Sequence, residues 1–167
     1  ITCRDWSSER VLFRSYIKYP LVNKDDISNI KLVLFDLNDV LTNSKEGDLN
    51  ENLLGVVKGL KERGIKVGIL SNAVNNNPKL ENLFDYEFLF GEMGIGVKPS
   101  PEVYEYVQNE TGFEGGEIFF VDNSLKNLEV PFKMGWNILH YIENESEVGE
   151  YLKDGTRYIT IATTRPE

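Results

Sequence analysis

The run Leu32-Val33-Leu34-Phe35 carries no polar residue and leads directly into Asp36. Four consecutive apolar side chains cannot alternate between core and water, so the strand they form must be covered on both faces. A central strand of a parallel sheet, with helices above and below, meets that condition. Similar segments recur along the chain. Strands are predicted over residues 30–36, 65–71, 86–90, 117–122 and 136–141. Between the first two, Leu53, Val56, Val57 and Leu60 mark one apolar face of a helix over residues 49–63, and Gly64 follows as its stop. After the Asn75-Asn76-Asn77-Pro78 turn comes a short helix to about Phe84, and further helices are expected over residues 100–111 and 124–134. This alternation predicts an α/β fold: a three-layer, doubly wound parallel sheet with right-handed crossovers and a ligand crevice at the carboxyl ends of the strands.

Polar residues at those strand ends are the candidates for chemistry. Asp36 stands where such sheets place their ligands and is a candidate nucleophile, although an Asp there also serves as a turn former or helix cap. The strand Ile65–Leu70 runs into Ser71 and Asn72, and Ile118–Val121 runs into Asp122 and Asn123. In Gly96-Val97-Lys98-Pro99-Ser100-Pro101 the prolines mark where a helix begins and hold Lys98 just ahead of it. Each also has a plain structural reading: Ser71 as a cap, Lys98 as a solvated charge, Asp122 as the acid that favours a following helix. Their joint occurrence at successive strand ends is what calls for a common explanation.

Phe35-Asp36-Leu37-Asn38-Asp39-Val40-Leu41 resembles the first signature of the haloacid dehalogenase (HAD) superfamily of phosphohydrolases. Ser71, Lys98 and the pair Asp122-Asn123 resemble the second, third and fourth motifs, in the family's order, and the resemblance spans roughly residues 30–141. It implies a HAD-like Rossmannoid core in which Asp36 attacks phosphorus, Ser71 holds the phosphoryl group and Lys98 neutralises nucleophile and phosphate. The residue at position 38 would protonate the leaving group and later activate water. Magnesium would be held by Asp36, by the backbone carbonyl of Asn38, by Asp122 and by Asn123.

Three positions depart from that pattern, and at two of them, Asn38 and Asn123, an amide stands where the family has an acid. An amide has no proton to give near neutral pH, and lost general acid–base catalysis typically costs a factor of roughly 10² to 10⁴. Asn123 brings no charge to a hard cation that prefers carboxylates, so magnesium is expected to bind weakly or not at all. Asp39, in place of the family's glycine, is a further carboxylate nearby in the chain. The chain therefore reads as a catalytically impaired or inactive phosphohydrolase-fold domain retained for binding or assembly. The alternative is a slow magnesium-dependent phosphatase or phosphotransferase working through an Asp36 aspartyl phosphate. A metal-independent dehalogenase-type hydrolase is disfavoured, since no interval between the motifs holds a cap domain to enclose a small halo-acid. Capless relatives tend to have open sites and large phosphorylated substrates.

Composition agrees with one globular core: 167 residues, 41% hydrophobic and 27% charged. The formal charge of −9 argues against a nucleic-acid partner. It is uneven, since residues 1–29 carry five Lys or Arg against four Asp or Glu. No run reaches the length of a membrane span, the amino terminus lacks the apolar core of a signal peptide, and the lone Cys3 requires no oxidising compartment, so a soluble intracellular protein is expected. The chain begins with Ile1 rather than Met, as a processed or excised chain would. Residues 1–29 are read as an extension, partly helical over Asp5–Lys18, residues 30–155 as the core domain, and residues 156–167 as a second extension with a strand over Tyr158–Ala162. Either extension offers a route to a protein partner, and the core a site for a phosphorylated ligand. His140, the only histidine, is read as a strand residue rather than a base.

Overall fold

The computed structural model describes residues 11–12, 29–43, 47–141 and 158–159. Five parallel strands form the main sheet: β1 (Leu32–Phe35), β2 (Lys66–Ser71), β3 (Tyr86–Leu89), β4 (Ile118–Asp122) and β5 (Asn137–His140), in the order β3-β2-β1-β4-β5. β1 is central, and its four residues are buried on both faces, as the unbroken apolar run requires. The chain leaves β1 toward β2 on one side and later returns to place β4 on the other. The strand order therefore reverses at β1, and in open α/β sheets the crevice opens at the carboxyl end of such a strand. Asp36 is the first residue beyond that end.

Helix α1 (Glu51–Glu62) buries Leu53, Leu54, Val56, Val57 and Leu60. Asn50 caps it, accepting the Leu53 N–H at 3.1 Å. The same Asn50 amide donates to the Val40 carbonyl at 3.1 Å and to the Tyr141 hydroxyl at 2.8 Å, which ties the loop after β1 to the far end of the sheet. Helix α2 (Pro101–Thr111) starts on a proline, whose missing N–H costs nothing in the first turn, and stops at Gly112 with φ +75°. Right-handed crossovers place α1 on one face of the sheet and α2 with its neighbour α3 (Glu129–Lys133) on the other. Between sheet and α2, Trp136 meets Tyr104 and Phe120 edge-on, with Tyr104–Trp136 centroids 5.6 Å apart, and Tyr104 is tilted against Phe120 at 58°. Among the described residues, no cap domain interrupts the core.

Two helices differ from expectation. The segment 124–134 is a 3₁₀ turn at Leu125–Asn127 followed by the short α3. Pro131 explains this: proline fits only the first turn of a helix, so α3 must begin close before it. The helix expected to reach Phe84 shrinks to a 3₁₀ turn at Pro78–Leu80, and Asn82, with φ +64°, turns the chain away. Most of the helix expected over Asp5–Lys18 lies outside the described residues. The two described positions within it, Val11 and Leu12, are extended and pair antiparallel with Ile159 and Tyr158. The strand expected from Tyr158 thus exists over Tyr158–Ile159 and pairs with an earlier segment of its own chain. Residues 147–153, where the sequence also predicts a helix, lie outside the described residues. No described helix is long and apolar enough to cross a membrane.

Candidate active site

Sheet register brings the strand-end residues together. Phe35 is opposite Ile69 on one side and Val121 on the other. One residue further along, Asp36, Leu70 and Asp122 therefore stand abreast. The Lys98 ammonium reaches into that row and donates to all three: to Asp36 Oδ1 at 2.9 Å, to Asp122 Oδ2 at 2.7 Å and to the Leu70 carbonyl at 2.9 Å. It also lies 5.3 Å from the centre of the Phe120 ring. Lys98 is only 4% exposed, against 8% for Asp36 and 0% for Asp122. A buried ammonium with three acceptors is fully satisfied, whereas either carboxylate alone would be an uncompensated charge.

Lys98 is held from behind as well. The Asn72 side chain accepts the Lys98 backbone N–H at 2.7 Å and donates to the Lys98 carbonyl at 3.1 Å. This two-point clamp joins the end of β2 to the loop that delivers the lysine. Sequence reasoning placed Asn72 at a strand end but assigned it no role, because its partner is a peptide group 26 positions away.

Around the carboxylates the donors are mostly backbone and amide. Asp36 Oδ1 accepts the Leu37 N–H at 2.9 Å, and Asp122 Oδ1 accepts the Ser124 N–H at 2.8 Å. Asn127, buried one turn beyond Asn123, donates to Asp122 Oδ2 at 3.2 Å; sequence reasoning missed it too. The amide end of Asn123 lies 3.1 Å from Asp36 Oδ2 and 3.2 Å from Asp122 Oδ1, and with its nitrogen turned toward them it donates to both. His140 Nε2 sits 3.0 Å from the Asn123 backbone carbonyl. Burial pushes the Asp36 carboxyl above the ordinary carboxylate range; Lys98 pulls it back and Asp122 adds to the rise. The Tyr104 phenol, which donates to the Asn127 carbonyl at 2.7 Å, is pushed far above its usual value by burial and by the Asp122 and Asp36 charges.

Of the residues singled out in sequence, Asp36, Lys98, Asp122 and Asn123 converge on one point. Ser71 is buried at the end of β2, one residue beyond Leu70, and its hydroxyl accepts the Ala73 N–H at 3.1 Å. Asn38 is exposed, in a tight loop where it pairs with Thr42. Asp39 takes φ +63°, a left-handed conformation that favours glycine and that Asp tolerates better than most residues. It does not supply a third acid: among the described residues, no three His, Cys, Asp or Glu side chains converge on a cation position.

The sequence profile of the haloacid dehalogenase-like hydrolase family matches residues 46–131, more than half of the chain. The chain belongs to the haloacid dehalogenase-like hydrolases. The matched span includes Ser71, Lys98, Asp122 and Asn123. Solved structures of the same fold include an uncharacterized protein from Corynebacterium glutamicum, 20% identical, with a TM-score of 0.59 over 77% of this chain and 97% of that one. A HAD family enzyme from Bacteroides thetaiotaomicron, in complex with magnesium and inorganic phosphate, is 20% identical with a TM-score of 0.54 over 71% and 98%. The cobalt-bound deoxy-D-mannose-octulosonate 8-phosphate phosphatase from Haemophilus influenzae is 16% identical, with a TM-score of 0.52 over 78% and 77%. At these identities the likeness is one of fold. No curated protein matches the chain significantly.

Proposed function

We propose that this HAD-like chain is a catalytically impaired phosphohydrolase, which binds a phosphoryl group and turns it over slowly through Asp36. The observation that carries the reading is the Lys98 ammonium bridging Asp36 and Asp122 at 2.9 and 2.7 Å in a buried site. A chain kept only for its fold has no need to hold this charge triad, which costs solvation that apolar side chains would not.

The geometry supports the following roles in this reading. Asp36 attacks phosphorus with one carboxylate oxygen while Lys98 and the Leu37 N–H fix the other. Ser71 holds a phosphoryl oxygen, Lys98 offsets the phosphoryl charge from behind the carboxylates with its three hydrogens already placed, and Asn72 keeps Lys98 in register. Asn38 cannot protonate the leaving group or activate the second-step water, so both steps lean on solvent. Asp36, Asp122, the Asn123 amide oxygen and the Asn38 backbone carbonyl would hold magnesium. The set is all oxygen, as a hard cation requires, but with two carboxylates it is a weak one. Bound there, the cation would offset charge on the phosphoryl oxygens. The Bacteroides neighbour, which holds magnesium and inorganic phosphate, supports this ligand class. The reading in which the site only binds draws on Asn123, whose amide hydrogens satisfy both carboxylates without a cation.

The test is hydrolysis of an activated aryl phosphate with magnesium by the native chain, by Asp36→Ala and by Asn38→Asp. Slow hydrolysis that disappears in Asp36→Ala and rises about 10²-fold or more in Asn38→Asp supports the proposal. Hydrolysis that survives Asp36→Ala sinks it.

A further inference from the structure

All four large apolar side chains that are exposed among the described residues follow the carboxyl ends of strands, Val74, Met93 and Val97 on loops and Leu125 at the start of a 3₁₀ turn. Val97 precedes Lys98, Leu125 follows Asn123 by two positions, and Val74 follows Ser71 by three. A Cβ on Gly91 would lie 2.9 Å from Val74 Cγ2, so the loop leading to Met93 is seated against the loop of Val74. Single exposed apolar residues are ordinary on a protein surface. Their confinement to segments that follow the carboxyl ends of β2, β3 and β4 is not, and it marks an edge of the sheet that an apolar group would cover.

Asn38 adds an independent chemical condition. Without a proton donor the leaving group must depart as an anion. A phenol ionises near pH 10, by about the Tyr side-chain value, whereas an aliphatic hydroxyl, like water, ionises only far above that. The rim asks for an apolar body and the missing acid asks for a stable oxyanion. A chain of net charge −9 also disfavours a body carrying further negative groups.

We infer that the substrates of this site are aryl phosphate monoesters, with an uncharged aromatic ring seated on Val74, Met93, Val97 and Leu125. The inference rests on the proposed phosphoryl transfer through Asp36. In the first step an Asp36 oxygen bonds to phosphorus as the bond from phosphorus to the aryl oxygen breaks. The aryl oxygen leaves with the bonding pair and takes a proton from solvent. Water then cleaves the aspartyl phosphate, restoring the Asp36 carboxylate and releasing inorganic phosphate and one proton.

The experiment compares kcat/KM for 2-naphthyl phosphate, phenyl phosphate, glycerol 3-phosphate and acetyl phosphate, with magnesium, in the native chain and in the Val97→Ser/Leu125→Ser variant. Naphthyl and phenyl leaving groups are similar, so their ratio reads the apolar contact. A second ring covering about 50 Å² more apolar surface, at about 25 cal/mol per Å², gives a native ratio of roughly tenfold. The exposed rim substitutions should bring that ratio to within about twofold of one. A native ratio near one, a ratio that survives the rim substitutions, or a preference for glycerol 3-phosphate overturns the inference while leaving phosphoryl transfer standing. Inertness toward all four, acetyl phosphate included, overturns both.

Discussion

Replacing Lys98 by methionine keeps an unbranched side chain, one atom shorter, and removes its charge, leaving Asp36 and Asp122 to share a site with almost no solvent. Three hydrogen bonds disappear, at 2.9, 2.7 and 2.9 Å. Hydrogen bonds to charged groups contribute about 1.5–3 kcal/mol each, but the carboxylates respond by taking up a proton, which caps the loss. Breaking a buried ion pair typically costs about 3–5 kcal/mol, so a loss of about 4 kcal/mol is expected near neutral pH. With a urea m-value of about 1.5 kcal/mol/M, the midpoint should fall by roughly 2.5 M. The pH dependence is the sharper readout. Burial already raises Asp36 above its ordinary 3.8, and without Lys98 the neighbouring Asp122 raises it further. A group with a raised native pKa contributes stability that is fully present below the unfolded value and lost as pH rises through the native one. The gap between native chain and variant should therefore be smallest near pH 4 and widen toward neutrality. The Lys98→Met/Asp36→Asn double variant, with the like charge removed but Asp122 still buried without its cation, should recover only part of the loss. Urea unfolding across pH checks all three points. A gap below about 1 kcal/mol, the range of an exposed pair, and flat with pH would refute the reasoning.

The surrounding residues yield further expectations. Asn123→Asp restores a third carboxylate around the Asp36–Asp122 position, so the magnesium-induced rise in Tm should appear at magnesium concentrations about tenfold lower or more; an unchanged magnesium response would remove Asn123 from the cation site. Gly91→Ala forces a Cβ to within 2.8 and 2.9 Å of the Asn72 and Ala73 carbonyls, and should cost about 1–3 kcal/mol in chemical unfolding. Tyr104 has its phenol pushed above its ordinary 10.0, so the unfolded chain ionises first and stability falls as pH rises past that value. Subtracting the Tyr104→Phe ultraviolet titration from that of the native chain should show no phenolate before unfolding.

What was legible in the chain divides along physical lines. β1, β2 and β4 were readable because a strand buried on both faces must be apolar throughout, and their polar terminators then located Asp36, Ser71 and Asp122. α1 was readable from its 3.6-residue spacing. The helix over residues 124–134 was overextended because apolar spacing continued through Pro131, where hydrogen bonding could not. Resemblance supplied the grouping of Asp36 with Lys98 and Asp122. Its geometry, with one ammonium spanning two strands, follows from lateral register, which no local pattern encodes. Asn72 and Asn127 were missed for a related reason: Asn72 acts on backbone groups brought in from a distant loop, and Asn127 is a buried amide whose partner, Asp122, lies back at the strand end. The apolar rim was invisible because Val74, Met93, Val97 and Leu125 belong to three separate segments that only the sheet brings to one edge.

The most direct test of Asp36 as the phosphoryl acceptor is rapid acid quench of the chain with acetyl phosphate and magnesium, followed by peptide mass spectrometry. The expected result is one phosphoryl group on the peptide containing Asp36, released by neutral hydroxylamine and absent in Asp36→Ala. A label on another residue, or phosphate release undiminished in Asp36→Ala, would contradict it.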